Sequence, residues 1–286
     1  MSKITPEIIK QMKSRQEPIT LLTAYGYPLA RIFDDARIDI ILVGDSVANT
    51  ELGLESTKYI TMDEMIHHAK AAGRAVRNSL LVGDMPFESY QKDISKAAAN
   101  ARRFIDEAGC DAVKVEWFKQ CPAVVRDILN SGIPVMGHIG LTPQTADEMG
   151  GLKVQGRDAH TANKLIDQAV VLNSLGVFSL VLECVPDVLA KIITETVDMP
   201  TIGIGAGPYC DGQALVSYDM LGIIRSRKPK FVKQYADIYS QIETAAKKYK
   251  DEVKLRIFPD REHMYTMDKE EALKLRRPGT GRRHDA

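Results

Sequence analysis

The stretch Ile40-Ile41-Leu42-Val43-Gly44-Asp45-Ser46 decides which fold this sequence predicts. Its short apolar run is rich in β-branched residues, which indicates a strand that is buried on both faces. The run stops at an acid and a hydroxyl, so we expect both polar groups at the carboxyl end of that strand. The stretch therefore predicts a parallel sheet that carries polar groups at its edge.

Four further apolar runs have the same design, because each of them stops at a titratable residue. The terminal residues of these runs are Asp84, Glu116, His138 and Glu183. If the strands are parallel, their carboxyl ends lie at the same edge of the sheet, and these side chains converge there. The repetition predicts a cluster of titratable groups rather than scattered surface charges.

Strand-like and helix-like segments alternate about eight times along the chain. Such alternation is typical of a parallel sheet with right-handed crossovers. Eight units favour a closed (β/α)8 TIM barrel over an open doubly wound sheet, and active sites of that fold lie at the carboxyl ends of the strands. We expect a leading helix from Pro6 to Met12, an eighth strand from Met220 to Ile224, and a closing helix from Lys230 to Lys248.

The domain organisation follows from a change in composition near the end of the chain. Residues 1–263 are predicted to form one barrel domain, and residues 264–286 a charged C-terminal tail with helical or extended structure. The tail contains too little apolar surface to fold alone, so a flexible, solvated segment is expected. An arm that docks on a neighbouring subunit is the alternative.

Composition excludes several classes of partner. The 286 residues include 38 basic and 38 acidic side chains, a balance that argues against nucleic acid or an anionic membrane as a partner. The four cysteines lack C-x-x-C and zinc spacing, which is typical of reduced thiols in the cytoplasm. No run approaches the ~18 apolar residues of a membrane span. The sequence predicts a cytoplasmic protein that acts on small molecules.

Three carboxylates, Asp45, Asp84 and Glu116, are predicted on three successive strands of one barrel. At close range they would repel one another unless a cation neutralised them. Hard oxygen ligands without cysteine indicate Mg²⁺ rather than zinc. The alternative for each acid is to cap the following helix or to pair with a surface lysine.

Three other residues at strand ends are candidates for chemistry. Lys114 points to the same side of its strand as Glu116, so it would meet a substrate anion, form a Schiff base, or pair with one of the acids. His138 is a pocket residue or a hydrogen-bonded core imidazole. Glu183 lies across the barrel from Asp45, as a general base requires, although an acid at a helix N-terminus is the alternative.

One glycine-rich run does not match a nucleotide-binding motif. Gly203-Ile204-Gly205-Ala206-Gly207 lacks the G-x-G-x-x-G spacing and does not open the first β-α unit. It indicates a tight turn or the close approach of a flat ligand.

From the residues alone, we expect a metal-assisted enzyme that acts on a small oxygen-rich anion. A divalent ion chelated by the carboxylate and keto oxygen of a 2-oxo acid acidifies the adjacent C–H bond. A base would then form an enolate, which would attack an electrophile that these spacings do not identify.

Several long blocks of the sequence resemble the signature blocks of the ketopantoate hydroxymethyltransferase family. The similarity runs in order from about Lys3 to His263. The blocks are Leu22–Tyr25, Leu42–Ser46, Gly137–Gln144, Lys153–Arg157, Val181–Pro186, and Gly203–Gly207 with Asp211–Gln213.

The resemblance implies a complete activity. Members of the family transfer a hydroxymethyl group from 5,10-methylenetetrahydrofolate to 3-methyl-2-oxobutanoate, giving 2-dehydropantoate for pantothenate and coenzyme A synthesis. They are (β/α)8 barrels that assemble as homo-oligomers, typically decamers. By resemblance, Asp45 and Asp84 bind the Mg²⁺ that chelates the keto acid, and Glu116 completes this site through water.

The resemblance also assigns the remaining site residues. Ser46 and Lys114 would hold the carboxylate and keto oxygen of the substrate, Glu183 would be the catalytic base that forms the enolate, and His138 would line the pocket. The chain departs from the family pattern at Gly26 and at Trp117-Phe118, which are predicted near the mouth of the barrel where folate would bind.

Two other functions remain open from the sequence. One is a Mg²⁺-dependent lyase or aldolase of the phosphoenolpyruvate/pyruvate barrel group, although its usual K-K-C-G-H-type loop is not visible. The other is a catalytically inactive barrel that binds folate or an oxo acid. The presence of every proposed catalytic residue argues against the inactive barrel.

Overall fold

The structure, a computed structural model, describes residues 3–148, 150–225 and 229–275. Eight parallel strands follow one another in chain order around a closed barrel, so the predicted fold is confirmed. The strands are Ile19–Thr23 (β1), Ile40–Val43 (β2), Leu80–Asp84 (β3), Ala112–Glu116 (β4), Val135–Gly140 (β5), Ser179–Glu183 (β6), Thr201–Ile204 (β7) and Gly212–Leu215 (β8).

Helices follow most of the strands and begin and end as their sequences indicate. Thr61 and Glu64 form a capping box, and Gly176 ends the longest barrel helix in the left-handed conformation. The helices are Pro6–Ser14 (α1), Tyr27–Asp35 (α2), Val47–Thr50 (α3), Met62–Gly73 (α4), Ala97–Asp106 (α5), Cys121–Asn130 (α6), Ala159–Leu175 (α7), Asp187–Thr196 (α8), Ser217–Leu221 (α9), Ile238–Lys254 (α10) and Lys269–Leu273 (α11).

The predicted eighth strand is wrong. The segment Met220–Ile224 contains the end of α9, and Gly222 terminates that helix with a φ of 64°. The strand that closes the barrel is β8, which pairs Gly212 with Ile19 of β1. A Cβ atom at Gly212 would lie 2.5 Å from the carbonyl oxygen of Ile19, so close pairing requires glycine there. Because β8 contains this glycine and a polar glutamine, it is not a continuous apolar run, and a search for such runs does not predict it.

The strands separate two apolar layers, because successive side chains point to opposite faces. Leu22, Ile41 and Val43 pack in the layer between the strands and the surrounding helices. Leu21 and Ile40 belong to the layer inside the barrel, which also includes Ile9 and Met12 of α1. The leading helix therefore closes the amino end of the barrel, and the cavity lies at the carboxyl end.

The chain divides into two compact units, Met1–Ala236 and Asp237–Ala286. The first contains the barrel. The second contains α10, which begins after the predicted start of the closing helix, and α11, and none of its described residues is buried. The predicted domain boundary at residue 263 stays a prediction, and residues 276–286 of the predicted tail lie outside the described residues. In the described ranges, no helix is long and apolar enough to span a membrane.

Candidate active site

A cavity of about 480 Å³ lies at the carboxyl ends of the barrel strands. The parallel arrangement brings together polar residues that are far apart in sequence. All seven predicted site residues line this cavity: Asp45, Ser46, Asp84, Lys114, Glu116, His138 and Glu183. Their predicted convergence is thus observed, whereas their individual roles stay predictions.

Asp45, Asp84 and Lys114 form one side of the site. The backbone N–H of Asp45 donates to Oδ2 of Asp84 at 3.0 Å, and Lys114 Nζ lies 2.8 Å from Asp84 Oδ1. Burial raises the pKa of Asp84, and the Lys114 ammonium opposes that rise. Burial would lower the pKa of Lys114, but the surrounding carboxylates outweigh burial and raise it. The predicted alternative of a lysine–acid pair is therefore present within the site.

His138 lies between two glutamates. Its Nδ1 is 3.4 Å from Glu116 Oε1 and its Nε2 is 3.1 Å from Glu183 Oε2. Burial and Lys114 would lower the pKa of His138, but the two glutamates outweigh them and raise it to about 9. The imidazole thus lies between the two carboxylates and close to both. The Glu183 side chain is 17% exposed and that of Glu116 only 1%, so Glu183 has the better access to a ligand.

Gln144 is a polar residue of this region that sequence reasoning did not identify. Its side-chain Nε2 donates to Asp45 Oδ2 and to the carbonyl of Met85, both at 2.9 Å. Its backbone N–H donates to Glu116 Oε2 at 3.2 Å. An amide in the 3₁₀ turn Pro143–Thr145 is neither titratable nor part of a strand, so a search for charged strand ends passes over it. Its position in the block Gly137–Gln144 was the available signal.

Ser46 is held by a short chain of hydroxyl groups. The Tyr25 hydroxyl lies 2.8 Å from Ser46 Oγ, and Thr23 Oγ1 donates to Tyr25 at 2.9 Å. Burial raises the pKa of Tyr25 to about 12, so the phenol stays protonated at neutral pH. The predicted substrate contact Ser46 therefore has a fixed partner behind it.

The carboxylates of the cavity fit a hard divalent cation. Asp84 Oδ1 and Glu116 Oε1 are buried and accept no hydrogen bond of good geometry, although Lys114 Nζ lies 2.8 Å from the first and His138 Nδ1 3.4 Å from the second. Buried carboxylate oxygens are stabilised by positive charge. In the part of the chain that the structure describes, no three His, Cys, Asp or Glu side chains are positioned to hold a metal ion together. The arrangement suits Mg²⁺, which takes one or two carboxylates and keeps several waters.

The cavity wall is divided into a polar and an apolar part. The seven predicted residues lie on β3 to β6 and directly after β2, whereas β1, β7 and β8 and the following loop contribute a mainly apolar sector. Its apolar residues are Leu21, Ile204, Ala214, Leu215 and Phe231. Phe231 packs on Gly205, where an added Cβ would lie 2.7 Å from the ring. The glycine-rich run thus makes room for this aromatic ring.

Comparison with known proteins finds relatives that match this sequence over most of its length. The family model described as ketopantoate hydroxymethyltransferase matches residues 3–261. A 3-methyl-2-oxobutanoate hydroxymethyltransferase of Syntrophomonas wolfei is 52% identical over 96% of this chain and 99% of its own length. The enzyme of that name from Moorella thermoacetica is 51% identical over 92% of this chain and 98% of its own length.

Solved structures with low sequence identity share the fold. A phosphonopyruvate hydrolase in complex with oxalate and Mg²⁺ superposes with a TM-score of 0.59 at 8% identity, covering 96% of this chain and 95% of that one. A 2,3-dimethylmalate lyase superposes with a TM-score of 0.54 at 11% identity, covering 93% and 91%. At such identities the likeness concerns the barrel alone.

Proposed function

The chain belongs to the ketopantoate hydroxymethyltransferase family, and from this premise we propose how its cavity performs the reaction. It is a 3-methyl-2-oxobutanoate hydroxymethyltransferase, like the relatives whose sequences are about 50% identical to its own. In the proposed reaction, the one-carbon unit of 5,10-methylenetetrahydrofolate is added to C3 of the keto acid to give 2-dehydropantoate. The supporting observation is a single cavity that combines buried carboxylates, a buried lysine and a more accessible glutamate.

The metal part of the proposal concerns Asp45, Asp84 and Glu116. Asp45 and Asp84 would bind Mg²⁺ directly, and Glu116 would hold one of its waters. When bound, Mg²⁺ would polarise the keto oxygen and acidify the neighbouring C–H bond. The burial of the Asp84 and Glu116 carboxylates in the same cavity supports this assignment.

Lys114 and Ser46 would bind the oxygen atoms of the substrate. The Lys114 ammonium is buried and 2.8 Å from Asp84, so it provides a fixed positive charge for an anionic ligand. Ser46 Oγ is held by Tyr25 and lines the same cavity, where its hydroxyl would donate to the substrate carboxylate. Together these groups would orient C3 of the keto acid for proton removal.

Glu183 would act as the base. It lies at the end of β6, across the cavity from Asp45 and Asp84, and so would keep its lone pairs available for the C3 proton. His138 Nε2, 3.1 Å from Glu183 Oε2, would orient the carboxylate. The resulting enolate carbon would bond to the folate methylene carbon as the first of its two carbon–nitrogen bonds breaks. Water would then displace the second nitrogen and supply the hydroxyl group, and the two nitrogens of the released tetrahydrofolate would take up the C3 proton and one proton of that water.

The apolar sector would hold the folate ring system. A cavity of about 480 Å³ is in the range that accommodates a drug-sized ligand, well above the need of a small keto acid. Phe231 presents an aromatic surface in that sector, and aromatic rings stack favourably on one another. We therefore assign the polar part of the wall to the keto acid and the apolar sector to the one-carbon donor.

A turnover measurement tests the reaction. The enzyme is incubated with Mg²⁺, 3-methyl-2-oxobutanoate and 5,10-methylenetetrahydrofolate, and we expect 2-dehydropantoate to form only when both organic substrates are present. Carbon–carbon cleavage of an alkylmalate or isocitrate would favour the lyase alternative. Binding of both ligands without any product would favour the inactive barrel.

A further inference from the structure

The side chain of Gln144 has a single possible orientation. It is 2% exposed, and its two N–H groups meet acceptors only, the Asp45 carboxylate and the Met85 carbonyl, at 2.9 Å each. Its Oε1 accepts from Tyr90 at 2.7 Å and from Gln91 at 3.0 Å. A buried amide whose two N–H donors and carbonyl acceptor are all hydrogen-bonded is rigid. If this amide were flipped, its Oε1 would face the oxygen atoms of Asp45 and Met85, which cannot donate a hydrogen bond.

A second link connects the same network to Glu116. The backbone N–H of Glu116 donates to the Tyr90 hydroxyl at 3.1 Å, and the backbone N–H of Gln144 donates to Glu116 Oε2 at 3.2 Å. Tyr90 and Gln91 lie on the π-helical turn Glu88–Lys92, an uncommon element that is frequent at functional sites. Asp45 and Glu116, which belong to different β-α units, are thus joined through Gln144.

These hydrogen bonds distinguish the two carboxylate oxygens of Asp45. Gln144 engages Oδ2, which leaves Oδ1 of this cavity-lining carboxylate for a ligand. The contact also uses a neutral donor, so it fixes the carboxylate without neutralising its charge. Lys114 instead pairs with Asp84. Asp45 is therefore held in a fixed direction by a neutral donor and not by a cation.

We propose that Gln144 is a positioning residue that orients Asp45 and Glu116 toward a divalent cation, with Tyr90 and Gln91 holding its amide in place. This inference rests on the proposed function, since it assumes a cation between those carboxylates. Outer-shell partners of metal ligands typically change metal affinity by ~10–100-fold when they are replaced.

The test uses Mn²⁺ as the probe, because its binding can be titrated by electron paramagnetic resonance without turnover. In Gln144→Met, a side chain of similar size lacks the donors to Asp45, and we expect Mn²⁺ to bind ~10–100-fold more weakly than in the wild type. Circular dichroism checks that the variant is folded. If it does not fold, Gln144→Asn is used, which keeps an amide but is too short to reach Asp45, and the same loss is expected.

Gln11→Met is the matched control, since it makes the same change at an exposed position of α1, outside this network. We expect this variant to bind Mn²⁺ within about threefold of the wild type, less than the typical outer-shell effect. Wild-type affinity in Gln144→Met, or an equal loss in Gln11→Met, would overturn the positioning role and leave the proposed function standing. A wild-type enzyme that binds no Mn²⁺ would overturn both.

Discussion

The two ends of the barrel are built from the same eight strands, but their interiors have opposite character. At the amino end, Ile9 and Met12 of α1 close an apolar interior. At the carboxyl end, Asp84, Glu116 and Lys114 are buried in a polar cluster. Burying charge is unfavourable unless other parts of the fold stabilise it. The comparison indicates that the amino end supplies stability, whereas the carboxyl end supplies chemistry.

Two lysines make the difference concrete. Lys13, at the amino end, donates to three backbone carbonyls, those of Thr194, Val197 and Met199, at 2.8 to 3.2 Å. Its three donors are thus used by the protein. Lys114, at the carboxyl end, contacts side chains that themselves line the cavity, with Asp84 Oδ1 at 2.8 Å and His138 Nδ1 at 3.3 Å. The first lysine is structural, and the second is placed to meet a ligand.

The largest effect is expected at the carboxyl end, from Glu183→Gln. Loss of a general base typically reduces the rate by ~10²–10⁴-fold, so solvent exchange of the C3 proton of 3-methyl-2-oxobutanoate should fall by that amount. Binding of the keto acid should be nearly unchanged, because the amide keeps the shape of the side chain. Proton NMR in deuterated water measures the exchange. Glu195→Gln, an exposed change on α8, is the control, and unchanged exchange in Glu183→Gln would remove this residue as the base.

Asp45→Ala and Asp84→Ala test the metal site and differ from one another. Both should weaken Mg²⁺-dependent binding of the keto acid beyond the ~10–100-fold typical of outer-shell partners. Asp84→Ala should also lower stability by ~3–5 kcal/mol, because Lys114 is left buried without its partner. Calorimetric titration measures the binding of the keto acid, and denaturant unfolding measures the stability. Asp35→Ala, on the exposed face of α2, is the control, and full affinity in either cavity variant would refute the proposed chelate.

The amino end should respond in stability and not in chemistry. Ile9 is fully buried, so Ile9→Ala should lower the free energy of unfolding by ~2–5 kcal/mol. The exchange rate per folded molecule should stay at the wild-type level. Ile32→Ala removes the same atoms from a side chain that is 57% exposed, and a change below ~0.5 kcal/mol is expected. Loss of exchange in folded Ile9→Ala would contradict the separation of the two ends.

The smallest effect is expected in the apolar sector of the cavity. Phe231→Ala removes an aromatic contact worth ~0.5–1.5 kcal/mol, so the KM for 5,10-methylenetetrahydrofolate should rise roughly 2- to 10-fold. Exchange of the C3 proton without folate should be unaffected, because this half-reaction uses the polar part of the wall. Steady-state kinetics measures this KM. The control is Tyr59→Ala, which changes a residue that is 63% exposed. An unchanged KM would move the folate site away from Phe231.

Much of the fold and of the site was predictable from local pattern. Seven of the strands are apolar runs with clear ends, and the acids of the site follow from the rule that parallel strands share one carboxyl edge. The eighth strand escaped this approach, because Gly212 is required by contact with β1 rather than by its own neighbours in sequence. A close contact between distant segments leaves little trace in a hydrophobicity pattern.

The amino-acid order was sufficient for the closed parallel barrel, for the set of titratable residues at its mouth and for the family, since these depend on short-range periodicity and on long matching blocks. Only the folded chain decided which polar side chains pair. Lys114 pairs with Asp84, His138 with two glutamates, and Gln144 with Asp45. Those partnerships depend on distances of about 3 Å between side chains from different β-α units. Such distances arise from packing and are not encoded by any single segment.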